Sequence, residues 1–243
     1  RQMCIRDSID ITPLLNGTDV VTVAKALHTA SQNMGFIYIK GHGIEDATIR
    51  AAHSRALAFF NHSNDEKAKV TISKKHRGWL RQGGALMADG ANTDLKESFI
   101  WGAEDTDGHT AEDHPLRGKN LWPNFVPELQ MHAMEYFHQA HEVAFHLMRG
   151  FAIGLNLDEE HFLRSNLAPL SRASFVYYPS QSENLGTKQF GVGPHTDFGV
   201  LTVLYQDDVG GLQIEDIDGK WVEAPPIEAV SYTHLTLPTS DLV

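Results

Sequence analysis

The chain predicts an α+β protein whose strands close as a jelly roll or barrel. Three observations lead there. Up to about residue 168 the longer apolar patterns repeat with helical period. After Pro169 they change to short, closely spaced runs rich in Val, Ile, Thr, Tyr and Phe. Asp218-Gly219, between two such runs, is the dipeptide of a tight hairpin turn. Helices first and strands after, without repeats or low-complexity linkers, is the order of a segregated α+β fold.

Taken in order, Ile9-Asp10-Ile11 reads as a short leading strand. Val20, Val23, Ala24, Leu27, Ala30 and Met34 share one helical face, and Gly35 supplies the stop. Phe36 to Ile39 is an apolar strand closed by Gly41-His42-Gly43. A second helix spans Glu45 to Phe60, with Ile49, Ala52, Ala56, Leu57 and Phe60 inward. Gly83 to Asn92 is a small, polar loop expected to move, and Asp105 to Asp113 an acidic one. Phe99-Ile100-Trp101 between them is a strand. A long helix runs from Pro127 to Gly154 on the period of Ala133, Phe137, Ala140, Ala144, Leu147 and Phe151. Strands are expected at Ala173 to Tyr178, Val200 to Tyr205, Leu212 to Ile217 and Lys220 to Glu223.

The 243 residues are 42% hydrophobic and 21% charged, enough for one large domain with its own core. The net charge of −11 is spread without a long run of one sign, which argues against nucleic-acid and anionic-membrane surfaces. No apolar run is long enough to span a bilayer, and the N-terminus lacks a signal peptide's apolar core, so a cytoplasmic protein is expected.

The two ends read differently from the body. Residues 1–8 are what one frame of a transposase-end sequencing adapter encodes, and residues 230–239 are what its reverse complement encodes. The natural segment is therefore expected to be about Ile9 to Ala229. Cys4 falls in the adapter-derived part, leaving the body without cysteine, disulfides or thiolate chemistry.

Chemistry concentrates in Gly193-Pro194-His195-Thr196-Asp197-Phe198-Gly199. On a strand, residues two apart share a face, so His195 and Asp197 would look into one cavity. An imidazole nitrogen and a carboxylate oxygen are two corners of the facial triad that binds Fe(II) and leaves positions open for oxygen and a co-substrate. His-x-Asp in isolation also occurs in surface turns; here it precedes an apolar run and follows Tyr177-Tyr178-Pro179.

With Gly35 to Ile39, Gly41-His42-Gly43-Ile44, Phe59-Phe60, Glu66-Lys67, Lys96-Glu97-Ser98-Phe99, Asn120-Leu121-Trp122-Pro123, Gly210-Gly211-Leu212-Gln213 and Trp221, this motif makes the chain resemble the isopenicillin N synthase-like family of Fe(II)- and 2-oxoglutarate-dependent dioxygenases. The resemblance covers nearly all of Ile9 to Ala229. It implies a double-stranded β-helix core with an N-terminal helical portion, and Fe(II) on His195 and Asp197. It implies O2 and 2-oxoglutarate as co-substrates, with succinate and CO2 released as a small organic substrate is oxidised. Tyr178 matches a position whose hydroxyl contacts co-substrate or substrate, while Val176 departs from the Asn of many plant members. The family's third ligand, a His some fifty residues beyond the Asp, and its Arg-x-Ser carboxylate anchor have no counterpart before Ala229; His234 lies in the adapter-derived part at the wrong distance.

The expected organisation is then residues 1–8 and 230–243 as adapter-derived tails, 9–168 as the N-terminal portion, and 169–229 as the start of a jelly roll truncated before its last strands. Such a fragment is expected to be inactive and aggregation-prone, with Tyr232 to Leu237 docking on a strand edge that later strands would otherwise cover. The intact parent is expected to act as a monomer on a small molecule and O2, without nucleic-acid or membrane partners. Two alternatives stay open: an oxidase of the same fold that does not use 2-oxoglutarate, and a metal-binding jelly-roll module without oxygenase activity.

Other candidates are weaker. Glu135, His138, His141, Glu142 and His146 share the long helix, but a di-iron bundle needs two Glu-x-x-His motifs and further Glu residues on other helices. His109 and His114 sit in or beside the acidic loop, Gly83-Gly84 lacks a phosphate loop's Lys-Ser/Thr, and no Gly-x-Ser-x-Gly is present.

Overall fold

The computed structural model describes residues 8–33, 35–84, 94–104, 114–164, 169–181, 191–197, 199–227 and 231–234. In chain order these form β1 (Ser8–Asp10), α1 (Thr12–Leu15), α2 (Val20–Asn33), β2 (Phe36–Lys40), α3 (Asp46–Phe60), α4 (Asn64–Ala68), β3 (Gly78–Leu80) and β4 (Glu97–Gly102). Then follow α5 (Leu129–Gly154), α6 (His161–Arg164), β5 (Arg172–Tyr177), β6 (Thr202–Leu204), β7 (Gln213–Glu215), β8 (Trp221–Glu223) and β9 (Ser231–His234). The mixed α+β class is as expected. The loops at Gly83 to Asn92 and Asp105 to Asp113 fall largely or wholly outside the described residues, as do Phe198 and Leu235 to Leu237.

The chain divides into two compact units. One comprises Arg1–Asp46, His138–Leu167 and Thr196–Val243. Its sheet runs β1-β2-β9-β6, with β1 parallel to β2 and the other pairs antiparallel. α2 buries Val23, Ala24, Leu27 and Ala30, the apolar stripe its spacing calls for. α5 comes close to α2 because it presents glycines: a Cβ at Gly154 would lie 2.7 Å from the Ala24 carbonyl oxygen. The β7–β8 hairpin turns at Gly219, φ +76°. It packs Ile214 and Ala224 on Tyr38, whose hydroxyl donates to the Pro225 carbonyl at 2.9 Å. β9 lies between β2 and β6 through backbone pairing, a role open to any strand-competent tetrapeptide.

This unit carries a pH dependence. The His42 Nδ1 accepts the Ile44 N–H at 3.1 Å. Burial pushes the His42 imidazole below its ordinary 6.5, against a smaller opposing pull from Asp46. Burial likewise lowers His141 on α5, opposed by Glu142 and assisted by the neighbouring His138. The unfolded chain therefore binds more protons than the folded one just below pH 6.5, so stability falls as pH drops through that value and levels off below the folded pKa values. The urea midpoint is expected to be lower at pH 5.5 than at pH 7.5, and His42→Gln should flatten the difference. An equal midpoint at both pH values contradicts this.

The second unit comprises Ala47–Phe137 and Ala168–His195. Its antiparallel sheet runs β3-β4-β5, with Trp79 opposite Phe99 and Phe99 opposite Phe175. Phe59, Phe99, Trp101, Leu129 and Ala133 form its core. β5 alternates as a one-sided strand should: Ala173, Phe175 and Tyr177 are partly covered, whereas Arg172, Ser174 and Val176 are exposed. Tyr177 stacks on Phe60 with ring centroids 5.1 Å apart. Asn120 closes the far end of β4 by accepting the Gly102 N–H and donating to the Gly102 carbonyl, at 3.0 and 2.8 Å.

One expectation needs correcting. His195 and Asp197 do not lie on a strand: residues 195–197 have no regular structure, and the strand expected from Val200 starts only at Thr202. Pro194 cannot donate a ladder hydrogen bond, and Gly199 sits at φ +126°, outside the extended region. Glycines also shorten the later strand, since Gly210 and Gly211 at φ +79° and +96° delay the start of β7 to Gln213.

Candidate metal centre

His195 and Asp197 are each oriented by a neighbour within their own part of the chain. The His195 ring is exposed, and its Nδ1 lies 2.8 Å from the Gly193 carbonyl oxygen. A carbonyl only accepts, so Nδ1 must carry the hydrogen and donate it, which puts the lone pair of a neutral ring on Nε2. Backbone carbonyls bonded to the non-ligating nitrogen are a common way of fixing a metal-binding imidazole. Asp197 is half-buried, and its Oδ2 accepts the Thr202 hydroxyl at 2.8 Å. Thr202 opens β6, so the strand that was expected to contain the motif instead anchors it from downstream.

Upstream, the His195 segment is tied to the approach to β4. The Leu95 N–H donates to the Gly191 carbonyl at 3.0 Å, and the Gly193 N–H donates to Asp94 Oδ1 at 3.0 Å. Tyr178 follows β5 directly. It is 53% exposed, yet one side of its ring lies against Gly191, where a Cβ would sit 2.7 Å from the ring. Desolvation of that hydroxyl, and then the negative charge of Asp94, raise the phenol above its ordinary value of 10.0. At neutral pH it is a protonated donor.

An imidazole whose tautomer is set and a carboxylate anchored through one oxygen suit a borderline divalent ion such as Fe(II). Among the described residues, no group of three or more His, Cys, Asp or Glu side chains is arranged to hold a metal. The α5 histidines therefore form no such group, and no described helix is long and apolar enough to cross a membrane. The motif reading missed Asp94 and Thr202. Thr202 lies five positions beyond Asp197, a spacing with no signature, and Asp94 lies 99 residues before Gly193.

Comparison with known families places the chain. Residues 7–125 match the family described as non-haem dioxygenase in morphine synthesis N-terminal, and residues 169–236 match the 2OG-Fe(II) oxygenase superfamily. The chain belongs to the 2OG-Fe(II) oxygenase superfamily, for which Fe(II) and 2-oxoglutarate are the typical metal and co-substrate. It is 34% identical to a Dictyostelium discoideum protein named "Probable iron/ascorbate oxidoreductase", over 85% of this chain and 63% of that protein. It is 32% identical to a homoarginine-6-hydroxylase of Glycine max, over 90% of this chain and 71% of the relative. In structure it resembles a full-length Neurospora crassa protein crystallised with alpha-KG, with a TM-score of 0.80 at 28% identity, covering 93% of this chain and 71% of that one. The α+β class expected from the sequence is thus found within the jelly-roll fold of the 2OG oxygenases. The chain spans about two thirds of the length of these relatives.

Proposed function

We propose that the parent protein is a non-haem oxygenase that oxidises a small organic substrate with O2 and 2-oxoglutarate, releasing succinate and CO2. In this reading His195, through Nε2, and Asp197 hold Fe(II) together with a third ligand. The observation that carries it is that each donor is held by a neighbour of its own: the Gly193 carbonyl sets the His195 tautomer and Thr202 anchors the Asp197 carboxylate. Bound Fe(II) supplies the oxidising chemistry with O2. The chain's own part is to present the His195 imidazole and the Asp197 carboxylate, each held by its own hydrogen-bond neighbour. Tyr178, protonated at neutral pH, donates from its hydroxyl to an oxygen of the co-substrate or substrate.

The relatives' names support a small-molecule substrate, homoarginine in the Glycine max enzyme, and iron in the Dictyostelium protein. Because the chain covers 63% of the latter, the activity proposed is that of the whole protein. The test is succinate formation by the Fe(II)-loaded full-length protein, followed by chromatography. Succinate should appear only when Fe(II), 2-oxoglutarate and O2 are all supplied. Substrate oxidation at full rate without 2-oxoglutarate would make the protein an oxidase of the same fold.

A further inference from the structure

We propose that Asp94 is a positioning residue for the metal-binding segment, acting through Gly193 on the His195 ring. The proposal rests on His195 being a ligand. Asp94 is 2% exposed, and a carboxylate taken so far out of water is costly unless it bonds to something. Its Oδ1 accepts the Gly193 N–H, and the next residue, Leu95, donates its own N–H to the Gly191 carbonyl. Together these two bonds hold residues 191–193 to the segment entering β4.

The Gly193 carbonyl in turn receives the His195 Nδ1 hydrogen. Glycine has no side chain to pack and the widest backbone freedom of any residue, so the direction of that carbonyl depends on what holds the Gly193 backbone. Asp94 does so. Lys96 Nζ, 3.5 Å from Asp94 Oδ2, offsets the buried charge without replacing the Gly193 bond. The same clamp carries the Tyr178 ring against Gly191, so one buried carboxylate organises both the ligand and the proposed co-substrate contact.

The test is anaerobic calorimetric titration of the full-length protein with Fe(II), comparing wild type, Asp94→Ala, Asp94→Asn and His195→Ala. Asp94→Ala should weaken binding by about 10–100-fold, the usual cost of losing a group that orients a ligand. Asp94→Asn, which keeps an acceptor oxygen in place, should restore most of the affinity. A purely structural role for Asp94 would lower the fraction of protein that binds and leave the affinity of that fraction unchanged. Wild-type affinity in Asp94→Ala alongside lost binding in His195→Ala overturns this proposal alone. Wild-type affinity in His195→Ala overturns the ligand assignment and this proposal with it. Should Asp94→Ala fail to fold, amide hydrogen exchange in the wild-type protein decides: Gly193 should be protected, and exchange as fast as in an open loop refutes the clamp.

Discussion

Alanine at His195 or Asp197 is expected to cost the full-length protein more than the roughly 100-fold loss of Fe(II) affinity that marks the upper end for outer partners, and to remove Fe(II)-dependent turnover. The expectation follows from ligand number. A facial triad has only three protein ligands, so removing one removes a third of the protein's bonds to the ion and leaves water in its place. A graded series adds discrimination. Thr202→Val leaves the Asp197 carboxylate intact but removes the hydroxyl bonded to its Oδ2, so the loss should be nearer tenfold. The expected order of affinity is wild type, then Thr202→Val, then either alanine variant, read by anaerobic titration. Wild-type iron stoichiometry and turnover in Asp197→Ala would show that the metal lies elsewhere.

How much of this was legible in the sequence depended on whether a feature is local. α2 is periodic over its own length and β2 is one continuous apolar run; both sit within a residue or so of their expected bounds, and Gly35 at φ +66° follows α2 as its stop. α5, the longest helix, was bounded to within two residues. The three-residue β3 was not legible, because Gly78 to Leu80 becomes a strand only through its register with Ile100, Phe99 and Ser98. His195-x-Asp197 stands out in the sequence as a candidate ligand pair, but it is not on a strand, since Pro194 and Gly199 interrupt the one that the apolar residues after Gly199 suggest. The clamp from Asp94 to Gly193 had no local signal. Lys96-Glu97-Ser98-Phe99 carries part of the family resemblance in the sequence, and the structure gives a physical reason for Glu97.

Glu97, the first residue of β4, is expected to be among the most damaging positions at which to substitute a charged residue in its unit. Its carboxylate receives Lys67 Nζ at 3.0 and 2.9 Å and the Trp79 indole N–H at 2.6 Å. Lys67 also donates to the Phe60 carbonyl at 3.1 Å and lies 5.2 Å from the centre of the Trp79 ring. The Lys67 and Glu97 side chains are 4% and 10% exposed, so water can replace neither partner. Glu97→Ala would leave a buried ammonium without its counter-charge and an indole N–H without its acceptor, a loss of about 3–5 kcal/mol. Lys67→Ala should cost a similar amount for the converse reason. The two residues share one interaction, so Lys67→Met with Glu97→Leu, which fills the space with apolar atoms, should cost less than the sum of the single changes. Urea unfolding followed by tryptophan fluorescence measures all three. Glu97→Ala with a midpoint close to wild type would mean that the pair contributes no more than an exposed ion pair. Because Glu97 lies three residues after Asp94, a loosened start to β4 should also weaken the hold on Gly193, and the same variant should bind Fe(II) less tightly even where it remains folded.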